Sequence, residues 1–515
     1  MSVIATPSAP GTAHVGSKGT SGLAARILEH AQRAPHAPAV VMGLETTTYA
    51  ELVALARAVV RPIGGEDRIA VLAHKTPRTI AFMLGALLSG RSVLVLAPTM
   101  PEDRSAAVIA ATGTRVLVDP RIGGDIEMQL PSIPNASGRR EAASGPNARL
   151  LLTTSGTTGV PKVVPLPPDS LDRFIDWAST EFGIGASSSV LNLAPLNFDL
   201  TLLEVWATLA TGGCAVLIPP ERAVRGAYVL DVIEKHRIDL VQAVPTFFRL
   251  MLESAAVGNR QLPAVTTLIV TGDRVDTTIV AGMRAMFPNA RILNVYGMTE
   301  TNDSFVYEVT GDEPDGEALP IGSPVRGVHA RVLANDGTLD EYGVGELLVS
   351  TPFQACCYLD STVSAERFVP LAALEPTAAA EADRIFVRTG DLVDRQPGRP
   401  TRLLGRVDRR VKIRGLAVDL SEVERILETH PYVAAAAAIA EPDPIAGHRL
   451  AVVVQRAYPG ELDLLDLRSF AGMHLARGST PSEFHVIDYA FPHTITGKID
   501  RPGALAAARD DLERH

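Results

Sequence analysis

Short runs of β-branched residues alternate with segments of helical period along the first part of the chain, and this rhythm constrains the fold more than any other feature. Strands are expected at Arg68 to His74, Ser92 to Ala97 and Thr114 to Val118, with helices at Pro77 to Ser89 and Glu102 to Thr112 between them. A strand reaches a parallel partner only by crossing over a face of the sheet, so this succession means βαβ units. The rhythm resumes from Val190 to Tyr296, where Ala215 to Ile218 and Thr267 to Val270 read as strands and Tyr228 to Arg237 as a helix. Two wound βα sheets are therefore predicted.

Other stretches punctuate this pattern. Pro131 to Asn147 consists of Pro, Ser, Gly, Asn and charged residues and reads as a surface loop. From Gly327 to Asp408 strands and tight turns take over, with Asn335-Asp336-Gly337 as a hairpin turn, the pattern of a small β-barrel-like subdomain. Beyond Asp408 an α+β pattern begins. Ser421-Glu422-Val423-Glu424 offers a capping box to a helix ending near Pro431, and Ala434 to Ala438 reads as a buried strand. The fold class expected is α/β, with a disordered tail at 1–21, a large N-terminal domain at 22–407 and a small, mobile α+β C-terminal domain at 408–515. No fixed-period repeat is present.

Charge and composition exclude several classes. The 515 residues hold 48 Lys and Arg against 58 Asp and Glu, a net charge of −10 without long runs of either sign, which argues against a nucleic-acid partner. Ala81 to Leu96, the most apolar early stretch, is broken by Arg91 and glycines, so no membrane span is expected. Met1 to Ser21 lacks the apolar core of a signal peptide. Cys214, Cys356 and Cys357 make no CxxC pair, which fits a reduced, cytoplasmic setting. The vicinal Cys356 and Cys357 have no basic partner or metal-ligand spacing in the sequence and read as structural. His74, His236 and His493 lie in no HExxH motif and partner no GxSxG serine, so metalloprotease and serine hydrolase readings lack support and these histidines read as structural.

The stretch Thr153-Thr154-Ser155-Gly156-Thr157-Thr158-Gly159-Val160-Pro161-Lys162 follows an apolar strand at Arg149 to Leu152. Glycines let backbone N–H groups converge on an anion, hydroxyls add donors and Lys162 adds charge, so the loop suits phosphate. Its spacing is not that of the P-loop, which ends Gly-Lys-Ser/Thr. Four more stretches follow in order: Asn294-Val295-Tyr296-Gly297-Met298-Thr299-Glu300, Arg388-Thr389-Gly390-Asp391, Gly405-Arg406-Val407-Asp408 and Thr496-Gly497-Lys498-Ile499-Asp500-Arg501. With these five the sequence resembles the adenylate-forming superfamily of acyl-CoA synthetases, peptide-synthetase adenylation domains and luciferases, from roughly Thr48 onward.

The resemblance implies a role for each motif residue. Thr154, Ser155, Gly156, Thr157, Thr158, Gly159 and Lys162 hold the phosphates of ATP, Thr299 touches the α-phosphate, and Glu300 holds Mg²⁺, a hard cation that also takes phosphate oxygens and water. Tyr296 stacks on adenine, and Asp391 accepts hydrogen bonds from the ribose hydroxyls. Arg406 lies beside Asp408, which acts as the hinge between an adenylating and a thioester-forming arrangement. Gly415 belongs to the face turned inward in the second arrangement. Lys498 bridges the substrate carboxylate and the α-phosphate, where a fixed ammonium stabilises the charge that spreads as the carboxylate attacks phosphorus.

Asn197-Phe198-Asp199-Leu200-Thr201 resembles the segment that opens the acyl pocket of amino-acid-activating members, with Asp199 on the substrate ammonium; the competing assignment makes Asp199 a cap of a helix from Thr201 to Leu209. Phe198 and Asp199 are joined, by motif offset, by Leu200, Leu203, Gln242, Ile269, Thr271, Val295, Asp303 and Ser304 as lining residues. Branched Leu203, Ile269 and Val295 narrow the pocket. Gln242, Thr271, Asp303 and Ser304 offer polar contacts, which favours a small or polar amino acid. Two departures stand out. Met298 replaces the proline usual in peptide-synthetase domains, and Cys356-Cys357-Tyr358 replaces Arg-Gly-Tyr.

The expected function is activation of an amino acid with ATP and Mg²⁺ and transfer to the phosphopantetheine thiol of a carrier protein. The chain closes soon after Arg501, so a separate carrier is expected. The alternative is an acyl- or aryl-CoA ligase, which Met298 favours and Asp199 disfavours.

Overall fold

The computed structural model describes residues 22–60, 67–120, 128–129, 149–154, 161–255, 260–273, 275, 277–314, 317–334, 336–375, 382–407, 410–414, 416–443, 446–458, 460–476, 478–492 and 499–514. The expected tail at 1–21, the loop at 131–147, the residues from Ser155 to Gly159, and Asn335, Asp408, Gly415 and Lys498 lie outside them.

Two wound sheets form as the alternation requires. In the smaller one the strands Val116–Val118, Arg68–Leu72, Ser92–Leu96 and Leu150–Thr154 lie parallel in that order, edged by antiparallel Met128–Gln129 and Lys162–Leu166. The nine-stranded sheet runs Ser323–Pro324, Asn302–Glu308, Arg291–Met298, Thr267–Thr271, Leu240–Ala243, Ser189–Asn192, Cys214–Leu217, Pro38–Met42, Glu45–Thr48, and is parallel from Arg291–Met298 to Pro38–Met42. The main hydrophobic core draws on both sheets, with Ile69, Val93 and Leu150 from one and Val190, Ile269 and Leu293 from the other.

The helix Pro77–Leu88 shows how local sequence sets an element. Thr76 accepts the Thr79 N–H, Pro77 occupies the first turn where its missing N–H costs nothing, and the helix is apolar because nearly all of it is buried.

From His329 to Arg406 a six-stranded sheet is antiparallel throughout, in the order Leu339–Asp340, His329–Leu333, Gly343–Ser350, Ile385–Arg395, Phe368–Pro370, with Arg402–Arg406 also on Ile385–Arg395. The hairpin expected around Asp336-Gly337 joins the first two of these. Beyond it lie a two-stranded hairpin, Arg410–Ile413 with Leu416–Asp419, and a three-stranded sheet of Val433–Asp443, Gly447–Arg456 and Glu483–Ile487. Its two faces carry their own cores, one around Val423 and Leu427, the other around Leu505 and Ala508 of the helix Arg501–Arg514.

One local expectation is corrected. The helix near Ser421 is Leu420–Leu427, and its cap is Asp419, whose Oδ1 accepts the Ser421 N–H at 2.9 Å. A carboxylate two residues earlier takes the N–H group at the helix start in place of the Ser421 hydroxyl. No helix among the described residues is long and apolar enough to cross a membrane.

Candidate active site

A single hairpin organises the site. Arg291–Met298 and Asn302–Glu308 pair antiparallel, joined by Thr299, Glu300 and Thr301, with Asn302 in the left-handed region at φ 51°. Gly297 is required here: a Cβ would sit 2.4 Å from the Asn302 carbonyl oxygen and 2.9 Å from the Asp303 Cα. This hairpin carries Tyr296, Thr299, Glu300 and Asp303. It begins at the carboxyl end of a parallel strand, where open α/β sheets place their ligands.

On one side of the hairpin Tyr296 donates to Asp391 Oδ2 at 2.5 Å, and Arg406 forms an ion pair with Oδ1 of the same carboxylate. Sheet register sets this up, since Asp391 and Arg406 are direct cross-strand partners. The Tyr296 ring meets Phe305 edge-on at 5.9 Å. Burial and the neighbouring Asp391 charge push the Tyr296 phenol well above its ordinary range. Glu346, which the sequence reading missed, fixes the Arg388-to-Asp391 stretch: Oε2 takes Arg388 at 2.5 Å and Oε1 accepts the Gly390 N–H at 3.1 Å.

On the other side, Tyr358 links Lys162 to Glu300. Its hydroxyl donates to Glu300 Oε1, and Lys162 Nζ lies 5.1 Å from its ring centre. Thr154 and Lys162 are register partners at the facing ends of the strands Leu150–Thr154 and Lys162–Leu166. Glu300 is buried and its Oε2 accepts no hydrogen bond among the described residues. One carboxylate with an open oxygen suits a cation that takes its remaining ligands from phosphate and water. Tyr358 was legible only as the third residue of the Cys-Cys-Tyr departure. The Cys356 and Cys357 sulfurs stand 3.3 Å apart, Cys356 is exposed, and the Cys356 S–H beside it pulls the Cys357 thiol down to about 7.

A second cluster is built on Asp199. Thr299 Oγ1 donates to Asp199 Oδ2 at 2.7 Å, and the side chain caps no helix. The segment behind it is a π-helix, Leu202–Ala207, followed by a short α turn at Thr208–Ala210, an irregularity common at functional sites. Burial raises the Asp199 carboxyl, and Glu300 adds to this; the Thr299 bond and the Lys412 charge oppose it. Asp303 is pushed up to about 7 by burial and by the charge of Asp199. Leu203, Ile269 and Val295 are fully buried members of the main core, while Phe198 and Leu200 are half-buried. Thr271, also buried, is the register partner of Val295. Gln242 donates to the Leu200 carbonyl at 3.1 Å, and Ser304 donates to Thr301 Oγ1 and the Asn302 carbonyl, both at 3.1 Å.

A buried charge network missed in the sequence supports this segment. Glu204 is completely buried; its Oε2 takes Asn192 Nδ2 at 2.5 Å and its Oε1 takes Gln242 at 3.4 Å. Lys75 donates to the Leu193 carbonyl at 2.8 Å. Burial pushes Glu204 up and Lys75 down, and each charge draws the other back. No sequence spacing links Lys75 to Glu204; only the sheet arrangement brings them together.

The model of the AMP-binding enzyme family matches residues 27–359 of the chain. The chain belongs to this family. Its C-terminal domain, described as the AMP-binding enzyme C-terminal domain, matches residues 422–498. Indigoidine synthase of Dickeya dadantii is 27% identical over 89% of this chain, which spans 32% of that protein's length. The L-proline–L-prolyl-carrier protein ligase of Pseudomonas fluorescens is 27% identical, covering 92% of this chain and 97% of its own. In fold, the adenylation domain AlmE of Vibrio cholerae, solved with glycyl-adenosine-5'-phosphate, superposes with a TM-score of 0.79 at 19% identity, covering 98% of this chain and 100% of that one.

In this AMP-binding enzyme the C-terminal unit brings the strand Arg410–Ile413 near enough to Asp199 for the Lys412 charge to act on that carboxylate. Gly447 lies so near Asp273 that a Cβ would approach its carboxylate to 2.8 Å. Arg104 completes the contact, donating to the His474 carbonyl at 2.9 Å and standing 3.4 Å from Glu422.

Proposed function

We propose that the enzyme activates an amino acid with ATP and passes the aminoacyl group to the phosphopantetheine thiol of a separate carrier protein. The observation that carries this reading is Asp199, an enclosed carboxylate oriented by Thr299 at the carboxyl end of the sheet. Such a group favours a ligand cation and penalises an acid without one by about 3 to 5 kcal/mol. The prolyl-carrier ligase, matched over nearly its whole length, supports a carrier as acceptor.

In the first half-reaction a carboxylate oxygen of the amino acid attacks the α-phosphorus of ATP, the bond to the bridging oxygen breaks, and pyrophosphate leaves. Thr154, Ser155, Gly156, Thr157, Thr158, Gly159 and Lys162 hold the phosphates, and Thr299, already fixed on Asp199, lies between the acyl and phosphate sides. Asp391 takes the ribose hydroxyls in a frame set by Tyr296 and Arg406. Lys498 neutralises the developing charge. A magnesium ion on Glu300, when bound, would offset the negative charge of the phosphates. In the second half-reaction the thiol attacks the acyl carbon, AMP departs, and a thioester remains. A turn about Asp408 between an N-terminal domain at 22–407 and a C-terminal domain at 408–515 exchanges Lys498 for the Lys412 hairpin. The setting is cytoplasmic, consistent with the free thiols of Cys214, Cys356 and Cys357.

The test is amino-acid-dependent pyrophosphate exchange. Lys498→Ala should lower it by about 10² to 10³ while ATP still binds, and Asp199→Ala should harm amine-bearing substrates specifically. Unchanged exchange in either variant contradicts its role. Met298 favours a second reading, acyl- or aryl-CoA ligation; thioester formed on free coenzyme A from an amine-free acid would establish that reading instead.

A further inference from the structure

Four polar side chains were candidates to meet the substrate beyond Asp199, and the structure separates them. Gln242 spends its amide N–H groups on the Leu200 carbonyl and Glu204, and the fully buried Ser304 hydroxyl donates to Thr301 and Asn302. Thr271 is uncharged and buried in the sheet. Asp303 differs from all three. Its carboxylate makes no hydrogen bond or ion pair among the described residues, and no cation among them offsets it. It keeps some accessible surface, yet lies deep enough in the protein for burial to raise its carboxyl.

Asp303 is also close enough to Asp199 for the two negative charges to oppose each other. The hairpin enforces this: Asp303 pairs with Gly297 in the sheet, two residues before the Thr299 that holds Asp199. Lys412 lends positive charge to Asp199 in this docked arrangement, and Glu300 adds a further negative one. Two carboxylates enclosed this close together are relieved by a shared proton or by cations that a ligand brings, and a ligand ammonium on each removes their mutual repulsion.

We infer that the substrate is a diamino monocarboxylic acid, one ammonium on Asp199 and the second on Asp303. This rests on the reading that the site activates an amino acid. Specificity then follows from the penalty of leaving Asp303 unpaired when the second amine is missing.

The experiment is pyrophosphate exchange by the full-length wild-type enzyme on matched pairs in which a methyl group replaces the distal ammonium: diaminopropionate against aminobutyrate, diaminobutyrate against norvaline, and ornithine against norleucine. At least one diamino acid should exceed its methyl partner in kcat/KM by about a hundredfold or more. Asp303→Asn should shrink that ratio by at least about tenfold. A wild-type enzyme that uses a methyl partner, or homoserine in place of diaminobutyrate, as well as the diamine overturns the inference but leaves amino-acid activation standing. Exchange supported only by amine-free acids overturns both. Because the wild-type panel decides by itself, a variant that fails to fold does not protect the idea.

Discussion

Asp391 accepts from Tyr296 on one oxygen and pairs with Arg406 on the other, and all three are largely buried. Removing the carboxylate takes the acceptor from the buried Tyr296 phenol and leaves Arg406 only its other partners, the Thr389 carbonyl among them, in a place water enters poorly. Asp391→Ala should therefore lower stability by about 2 to 4 kcal/mol, read from denaturant unfolding, and weaken ATP binding as well. A variant that loses ATP affinity at wild-type stability would show that the ion pair is not structural. At this scale the sequence was legible wherever chemistry resides in a residue type within a motif: Asp391, Glu300 and Lys162 all stand out. Their partners did not, because Glu346 and Tyr358 act through contacts across strands and loops far apart in the chain.

Among the elements, the π-helix Leu202–Ala207 stands where a regular helix from Thr201 to Leu209 was expected. Apolar periodicity marks a buried helical segment, but it does not distinguish a wider turn that positions Glu204 on Asn192 and Gln242. Glu204 also makes the segment sensitive to pH. Burial raises its folded-state carboxyl to about 8, well above the ordinary glutamate range, so the stability it contributes is complete in acid and lost as pH rises through about 8. Between about pH 5 and pH 8 the wild type should lose thermal stability relative to Glu204→Gln, which has no such proton to lose. Parallel melting curves for the two proteins across that window would refute this. Lys75, displaced downward, favours the folded state again at higher pH, so the loss should not continue far above about 8.

At the scale of the whole molecule, Arg104 ties the smaller wound sheet's helix Glu102–Thr112 to the C-terminal unit through His474 and Glu422. Both partners of the Arg104–Glu422 pair are mostly buried, so the contact is worth more than an exposed ion pair. If this docking serves thiol transfer, Arg104→Ala should slow thioester formation by about 5- to 30-fold, the equivalent of 1 to 2 kcal/mol, with much less effect on pyrophosphate exchange. Equal losses in both half-reactions would mean that Arg104 acts elsewhere. The sequence by itself determined the wound parallel sheets and the family to which the chain belongs, because hydrophobic period and motif chemistry are local properties of the chain. Only the tertiary structure decided that Asp303 opposes Asp199, that Lys75 meets Glu204, and that the charge of Lys412 reaches Asp199. Those pairings depend on strand order, on register and on how two separately packed cores dock, and each joins residues whose separation in the chain carries no signal of their closeness in space.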